Sequence, residues 1–139
     1  MTVYLDTSVV LRVLFGEPQP VPGWGRWTKA YSSALWRVEA LRTVDRARLS
    51  GAVDDGQVVQ LRRHIDVVHS AVHVVPLTEG ILLRAAESFP TTLGTLDAIH
   101  LSSALVVRDA IDVFLTHDVQ LATAAAAVGF EVDGVPLRQ

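Results

Sequence analysis

Four carboxylates occupy positions where chemistry, rather than packing, could account for them: Asp6, Glu39, Asp97 and Asp118. Glu39 is flanked by Val38, Ala40 and Leu41, and Asp97 by Leu96, Ala98 and Ile99. A carboxylate on an apolar face is costly to bury unless it is paired or metal-bound. Asp6, Asp97 and Asp118 have a plainer explanation too, since Asp is a frequent helix N-cap. Glu39 is too far into its segment to be a cap. The functional reading therefore rests on the set. Four carboxylates gathered in one cleft cannot all stay ionised without a countercharge. A hard divalent cation supplies it, and oxygen donors suit Mg²⁺ or Mn²⁺. Such centres activate water and stabilise an in-line displacement at phosphorus.

The elements that must position these residues follow from the apolar pattern. Thr2–Leu5 reads as a strand ending at Asp6. Asp-Thr-Ser then leads into the helical run Val9–Phe15, stopped by Gly16 and Pro18. Pro18–Gly25 holds three of the six prolines and reads as a loop. Ala30–Ser33 is a candidate strand. Ala34–Leu49 repeats Leu35, Val38, Leu41 and Val44 at helical spacing. A further helix runs from Asp54-Asp55 to about His69, with Val58, Leu61, Ile65 and Val68 on one face. Val72–Leu77 reads as a strand. Thr78 is a plausible cap for a helix through Glu87, and a loop over Phe89–Thr95 precedes an apolar helix, Leu96–Asp109. Val113–Thr116 is a strand, Asp118–Val128 an Ala-rich helix ended by Gly129, and Phe130–Val132 a last strand.

The expected order is β-α-β-α-α-β-α-α-β-α-β. That alternation predicts an α/β fold with a mainly parallel central sheet of four to five strands flanked by helices. Ligand sites in such folds lie at the carboxyl ends of the strands. Asp6 and Asp118 fall there.

Composition narrows the function classes. The 139 residues suit one domain, 1–139. Half are apolar and 19% charged, so the chain can form a core and is not a disordered tail. With no cysteine, disulfide scaffolds, iron–sulfur clusters, thiolate zinc sites and thiol nucleophiles are excluded. No apolar run reaches the roughly 18–20 residues of a transmembrane helix. The first residues lack the basic segment of a signal peptide, so a soluble, cytoplasmic protein is expected. The net charge is −3, and a basic nucleic-acid-binding profile is absent. Without the four carboxylates the balance would be +1 (−3 + 4). There is no phosphate-loop Gly-Lys-Ser/Thr, and Gly23-Trp24-Gly25 lacks the context of a dinucleotide fingerprint.

With these residues in place, the sequence resembles the PIN-domain family, in particular the VapC toxins of bacterial toxin–antitoxin pairs. The matching segments are Tyr4-Leu5-Asp6-Thr7-Ser8, Ser33-Ala34-Leu35-Trp36-Arg37-Val38-Glu39, Leu96-Asp97-Ala98-Ile99-His100-Leu101 and Leu115-Thr116-His117-Asp118-Val119-Gln120-Leu121-Ala122. Each is weak alone, but they occur in family order and span nearly the whole chain. The resemblance implies a Mg²⁺-dependent endoribonuclease, with Mn²⁺ as a possible substitute, that leaves 5′-phosphate and 3′-hydroxyl ends. It implies Asp6 and Asp97 as direct metal ligands, with Glu39 and Asp118 binding directly or through water. Hydroxyls of Thr7, Ser8 and Thr116 would orient carboxylates or the attacking water. It further implies a VapB-like antitoxin partner, an RNA substrate and a homodimer. Many relatives carry a basic residue shortly before the motif around Asp97. Here the positions read Thr92-Leu93-Gly94-Thr95, so a phosphate contact is either missing or comes from Arg12, Arg37 or Arg42. An inactive PIN-like interaction module and a PIN-type nuclease of RNA processing are the competing readings.

His64, His69 and His73 have spacings that cross a helix end, which speaks against a shared zinc site. His100 follows Asp97 by one helical turn and either orients that carboxylate or packs in the core. His117 is expected at the surface. Trp24, Trp27 and Trp36 either close the core or line a partner groove. The helix Ala34–Leu49 and the Pro18–Trp27 loop are the expected antitoxin contact region.

Overall fold

The structure is a computed structural model and describes residues 1–136. The last three residues of the expected 1–139 domain lie outside the described residues. The elements are β1 (Thr2–Leu5), α1 (Thr7–Leu14), β2 (Lys29–Ser33), α2 (Leu35–Leu49), α3 (Asp55–Ala71), β3 (His73–Val75), α4 (Glu79–Ala85), α5 (Thr95–Val106), β4 (Val113–Leu115), α6 (Val119–Ala127) and β5 (Val132–Asp133). The order is the one the pattern predicts. Several boundaries move by a few residues. β3 covers only His73–Val75, α5 gives way to a 3₁₀ turn at Arg108–Ala110, and β5 pairs through Val132–Asp133 rather than Phe130–Val132.

All five strands run parallel in the order β3-β2-β1-β4-β5. β1 is central, pairing Tyr4 with Tyr31 on one side and with Phe114 on the other. The chain leaves β1 towards β2 and later returns to β1's other edge as β4. The strand order therefore switches at β1, which opens a crevice at the carboxyl ends of β1 and β4.

Strand alternation divides the core. Val3, Leu5 and Leu115 face α1, α2 and α3 and pack with Val9, Val10, Trp36, Val44 and Ile65. Tyr4 and Phe114 point the other way and pack with Leu101, Leu121, Ala124 and Phe130. The Tyr4 and Phe114 rings stack at 5.0 Å.

Helix entry is specified locally in several places. Asp54 and Gln57 form a reciprocal capping box at α3, and Thr78 caps α4 through the Ile81 amide. In α2 the buried face is Leu35, Trp36, Ala40 and Val44, whereas Val38 is 57% exposed. This corrects the expected stripe, because α2 lies against both α1 and α3, which turns the Trp36 side of the helix inward. Trp36 is fully buried and its indole N–H donates to His69 Nδ1 at 3.2 Å. Trp24 and Trp27 meet edge to face at 5.1 Å and pack half-buried against the same core. The three tryptophans thus close the core, and Trp36 offers nothing to a partner.

Candidate active site

Each candidate carboxylate arrives from a different element. Asp6 follows β1 and occupies the N-cap position of α1, yet its carboxylate makes no capping bond. Oδ2 instead accepts from Ser8 Oγ at 2.6 Å and Thr116 Oγ1 at 2.9 Å. Thr116 also accepts from the Asp118 amide, and Ser8 from the His117 amide. The ends of β1 and β4 are therefore stitched together around Asp6, which is only 5% exposed.

Glu39 projects from the second turn of α2. Its Oε1 accepts from Thr7 Oγ1 at 2.8 Å and from His100 Nε2 at 2.6 Å. Asp97 is the third residue of α5, whose N-cap is Gly94, so Asp97 is not a cap. Asp118 does cap α6, with Oδ1 accepting from the Leu121 amide at 2.9 Å. The plain N-cap explanation therefore holds for Asp118 alone. In Asp6, Glu39 and Asp118 one carboxylate oxygen is tied to protein donors, and the other has no hydrogen-bond partner among the described residues.

All four carboxylates, with Thr7 and Ser8, line one cavity of about 460 Å³. Thr116 sits buried beneath it. Val38 and Leu96, both about half exposed, form its apolar rim. Among the described residues no three His, Asp or Glu side chains are already drawn round one point as a finished metal cage.

The electrostatics register the crowding. Burial, and then the charges of Asp118, Asp6 and Glu39, push the Asp97 carboxyl up to about 6 from an ordinary 3.8. Glu39 moves the other way. Burial would raise it, but the His100 hydrogen bond and charge and the Thr7 hydroxyl outweigh burial and hold it below its usual range. His100 shows the complementary balance. Burial would lower its pKa, and the Glu39 bond with the charges of Asp6, Glu39 and Asp97 raises it. Burial, reinforced by Asp6, keeps the Tyr4 phenol well above its ordinary value and hence neutral.

The basic residues differ from expectation. Arg37 pairs with Asp66 at 2.7 Å on the surface, and Arg12 reaches the Gln19 carbonyl at 3.3 Å. Arg42 does line the cavity, while also pairing with Asp45 at 3.2 Å. Arg46 lines the cavity too, exposed and without an acidic partner among the described residues. It lies seven residues beyond Glu39, two helical turns along the same face, and this spacing was the available signal for it. His117 is half-buried rather than at the surface, because its Nδ1 meets the Gly134 carbonyl at 2.6 Å.

A five-stranded parallel sheet with a carboxylate-lined crevice at its switch point defines the class of protein. The PIN domain family model matches residues 3–127, and the chain belongs to the PIN-domain family. Among curated relatives, Ribonuclease VapC47 of Mycobacterium tuberculosis (strain CDC 1551 / Oshkosh) is 33% identical over 135 residues, covering 92% of this chain and 93% of that protein. Ribonuclease VapC46 of M. tuberculosis (strain ATCC 25618 / H37Rv) is 28% identical over 138 residues, covering 94% of this chain and 95% of its own length. Two solved structures share the fold. A chain from VapBC2 of Rickettsia felis, bound to a DNA fragment from their promoter, superposes with a TM-score of 0.66 at 11% identity, over 96% of this chain and 98% of that one. A chain from VapBC-1 of nontypeable Haemophilus influenzae gives 0.62 at 16% identity, over 96% and 97%. Among the described residues, no helix is long and apolar enough to cross a membrane.

Proposed function

We propose that the protein is a VapC-type, Mg²⁺-dependent endoribonuclease that serves as the toxin of a toxin–antitoxin pair, with Mn²⁺ as a substitute ion. The observation that carries this reading is the convergence of Asp6, Glu39, Asp97 and Asp118, from four separate elements, on one cavity. The names of the two M. tuberculosis relatives support ribonuclease activity, and the VapBC assemblies of the structural neighbours support an antitoxin partner.

The residues fit a hard divalent ion. The donor set is all oxygen, burial and then the charges of Asp118, Asp6 and Glu39 raise the Asp97 pKa, and three carboxylates keep a free oxygen. The lack of a finished cage is compatible with Mg²⁺, which keeps several waters and takes only one or two carboxylates directly. Asp6 and Asp97 would hold the ion, with Glu39 and Asp118 binding directly or through water. When bound, the ion supplies the countercharge and activates water for attack on the phosphodiester, leaving 5′-phosphate and 3′-hydroxyl ends. Ser8 and Thr116 fix the Asp6 carboxylate, and Thr7 fixes Glu39. Arg42 and Arg46 at the cavity wall receive backbone phosphates, taking the place of the basic residue absent from Thr92–Thr95.

The partners in this reading are an RNA, a VapB-like antitoxin whose tail occupies the groove beside the cavity, and a second copy of the chain as a homodimer. The protein acts in the cytoplasm. Purified protein incubated with total RNA should give discrete fragments with Mg²⁺ and none with EDTA or for Asp97→Asn. Equal cleavage in all three samples would overturn the site assignment. No cleavage by folded, partner-free protein that binds Mn²⁺ would favour an inactive interaction module or a target missing from that RNA.

A further inference from the structure

We propose that His100 is a positioning residue that clamps one oxygen of Glu39, so that the other oxygen is the one presented to the cavity. The inference rests on the site assignment above and deepens it.

His100 sits in the middle of α5 with its side chain fully buried. A histidine kept there merely to fill space would need no polar partners beyond those that satisfy its two nitrogens. Instead, groups from three other elements meet on it. Tyr4 of β1 reaches Nδ1 with its hydroxyl at 2.9 Å. Thr7 of α1 lies 3.0 Å from Nε2, and Glu39 of α2 lies 2.6 Å from the same nitrogen. Thr7 also donates to the same Glu39 oxygen.

The proton placement follows from the partners. An ionised carboxylate only accepts, so Nε2 carries a hydrogen and donates to Glu39 Oε1. Nδ1 then accepts from the Tyr4 hydroxyl when the ring is neutral, or donates to the phenol oxygen when it is charged. Either way Oε1 takes two donors, and Oε2 has none among the described residues. Asp6 is built alike, with Oδ2 tied by Ser8 and Thr116 while Oδ1 lies 3.7 Å from His100 Nε2. Tyr4 completes the clamp from below. It is fully buried, stacked on Phe114, and its hydroxyl holds the Nδ1 edge of the imidazole ring. The Tyr4–His100–Glu39 chain thus runs from the sheet's apolar face to the cavity. It removes rotamer freedom from a carboxylate that an exposed helix surface would leave mobile.

Two substitutions of similar size separate clamping from packing. In His100→Gln the amide nitrogen falls near the Nε2 position and can still donate to Glu39. In His100→Asn the amide reaches only as far as Nδ1 and cannot. Binding of Mn²⁺ alone, without RNA, is measured by the electron paramagnetic resonance of the free ion. His100→Asn is expected to weaken binding roughly 10–100-fold, the usual effect of losing a group that orients a metal ligand. His100→Gln should recover most of it at a similar melting temperature. Equal affinity in wild type and both variants, or equal loss in both, would overturn the proposal. A crystal structure of metal-free His100→Asn reads the positioning directly and is independent of metal binding or cleavage by the wild type. Glu39 is expected in more than one rotamer there, and in one rotamer in wild type and His100→Gln. A single unchanged Glu39 rotamer in His100→Asn would refute the clamp even if the ribonuclease reading stands.

Discussion

Asp97→Asn should make the metal-free protein more stable while destroying its activity. Asp97 has a folded-state pKa of about 6 against an ordinary 3.8. The sign follows from linkage. Between about pH 4 and pH 6 the folded state binds more protons than the unfolded chain, so stability falls as pH rises through that window. Above pH 6 the full penalty applies. A shift of roughly two units corresponds to at most about 3 kcal/mol. The carboxylate is only half-buried, so solvent screening reduces this to about 1–2 kcal/mol. Asparagine is nearly isosteric and uncharged, and it removes the repulsion from Asp118, Asp6 and Glu39. For a chain of this size the gain should raise Tm by roughly 3–8 °C.

The assay is thermal unfolding in EDTA at pH 7.5, repeated in steps down to pH 4. The advantage of Asp97→Asn should be full at pH 7.5 and shrink between pH 6 and pH 4. Adding Mg²⁺ should stabilise the wild type by up to about 2.7 kcal/mol at a hundredfold excess over Kd, and its Tm should rise accordingly. The variant should respond far less. An Asn variant that is no more stable than wild type in EDTA, with no pH dependence to the difference, would refute the proposed charge crowding.

Other perturbations test separate parts of the structure. Arg46→Ala should raise KM for RNA with little change in kcat and reduce the salt dependence of binding, which a filter-binding salt titration reads as a shallower slope. Trp36→Ala should cost about 3–5 kcal/mol in urea unfolding, because the ring is fully buried and its N–H bonds His69. Gly134 has a φ of +108°, and a methyl there would run into the Thr116 carbonyl oxygen. Gly134→Ala should therefore cost about 2 kcal/mol or more. It should also lower kcat, because Thr116 holds Asp6.

Much of the fold was legible because its cues are local. Apolar runs of strand length, the capping residues Asp54 and Thr78, and the stop at Gly129 each act within a few residues. The alternation of elements then permits few topologies, since parallel connections are right-handed and need a crossover. The apolar spacing of α2 points Val38 inward, whereas the structure leaves it exposed, because helical periodicity is ambiguous when apolar residues lie on more than one face. Only the positions of α1 and α3 select Trp36 and Ala40 as the inward side. The half-burial of His117 is equally invisible in the local pattern, since its partner is the Gly134 carbonyl, 17 residues away.

The sequence by itself determined the acidic set, the order of the elements and the placement of Asp6 and Asp118 at strand ends. These follow from residue type and short-range spacing. Tertiary structure alone decided how each carboxylate is held. Asp6 stands at a helix start but is bound by Thr116, 110 positions away, while Asp118 does cap its helix. His100 meets Tyr4, Thr7 and Glu39 across separations of 96, 93 and 61 residues. No periodicity carries such pairings. They exist because the sheet order brings β1, α1, α2 and α5 to one crevice, where burial makes every polar group find a partner.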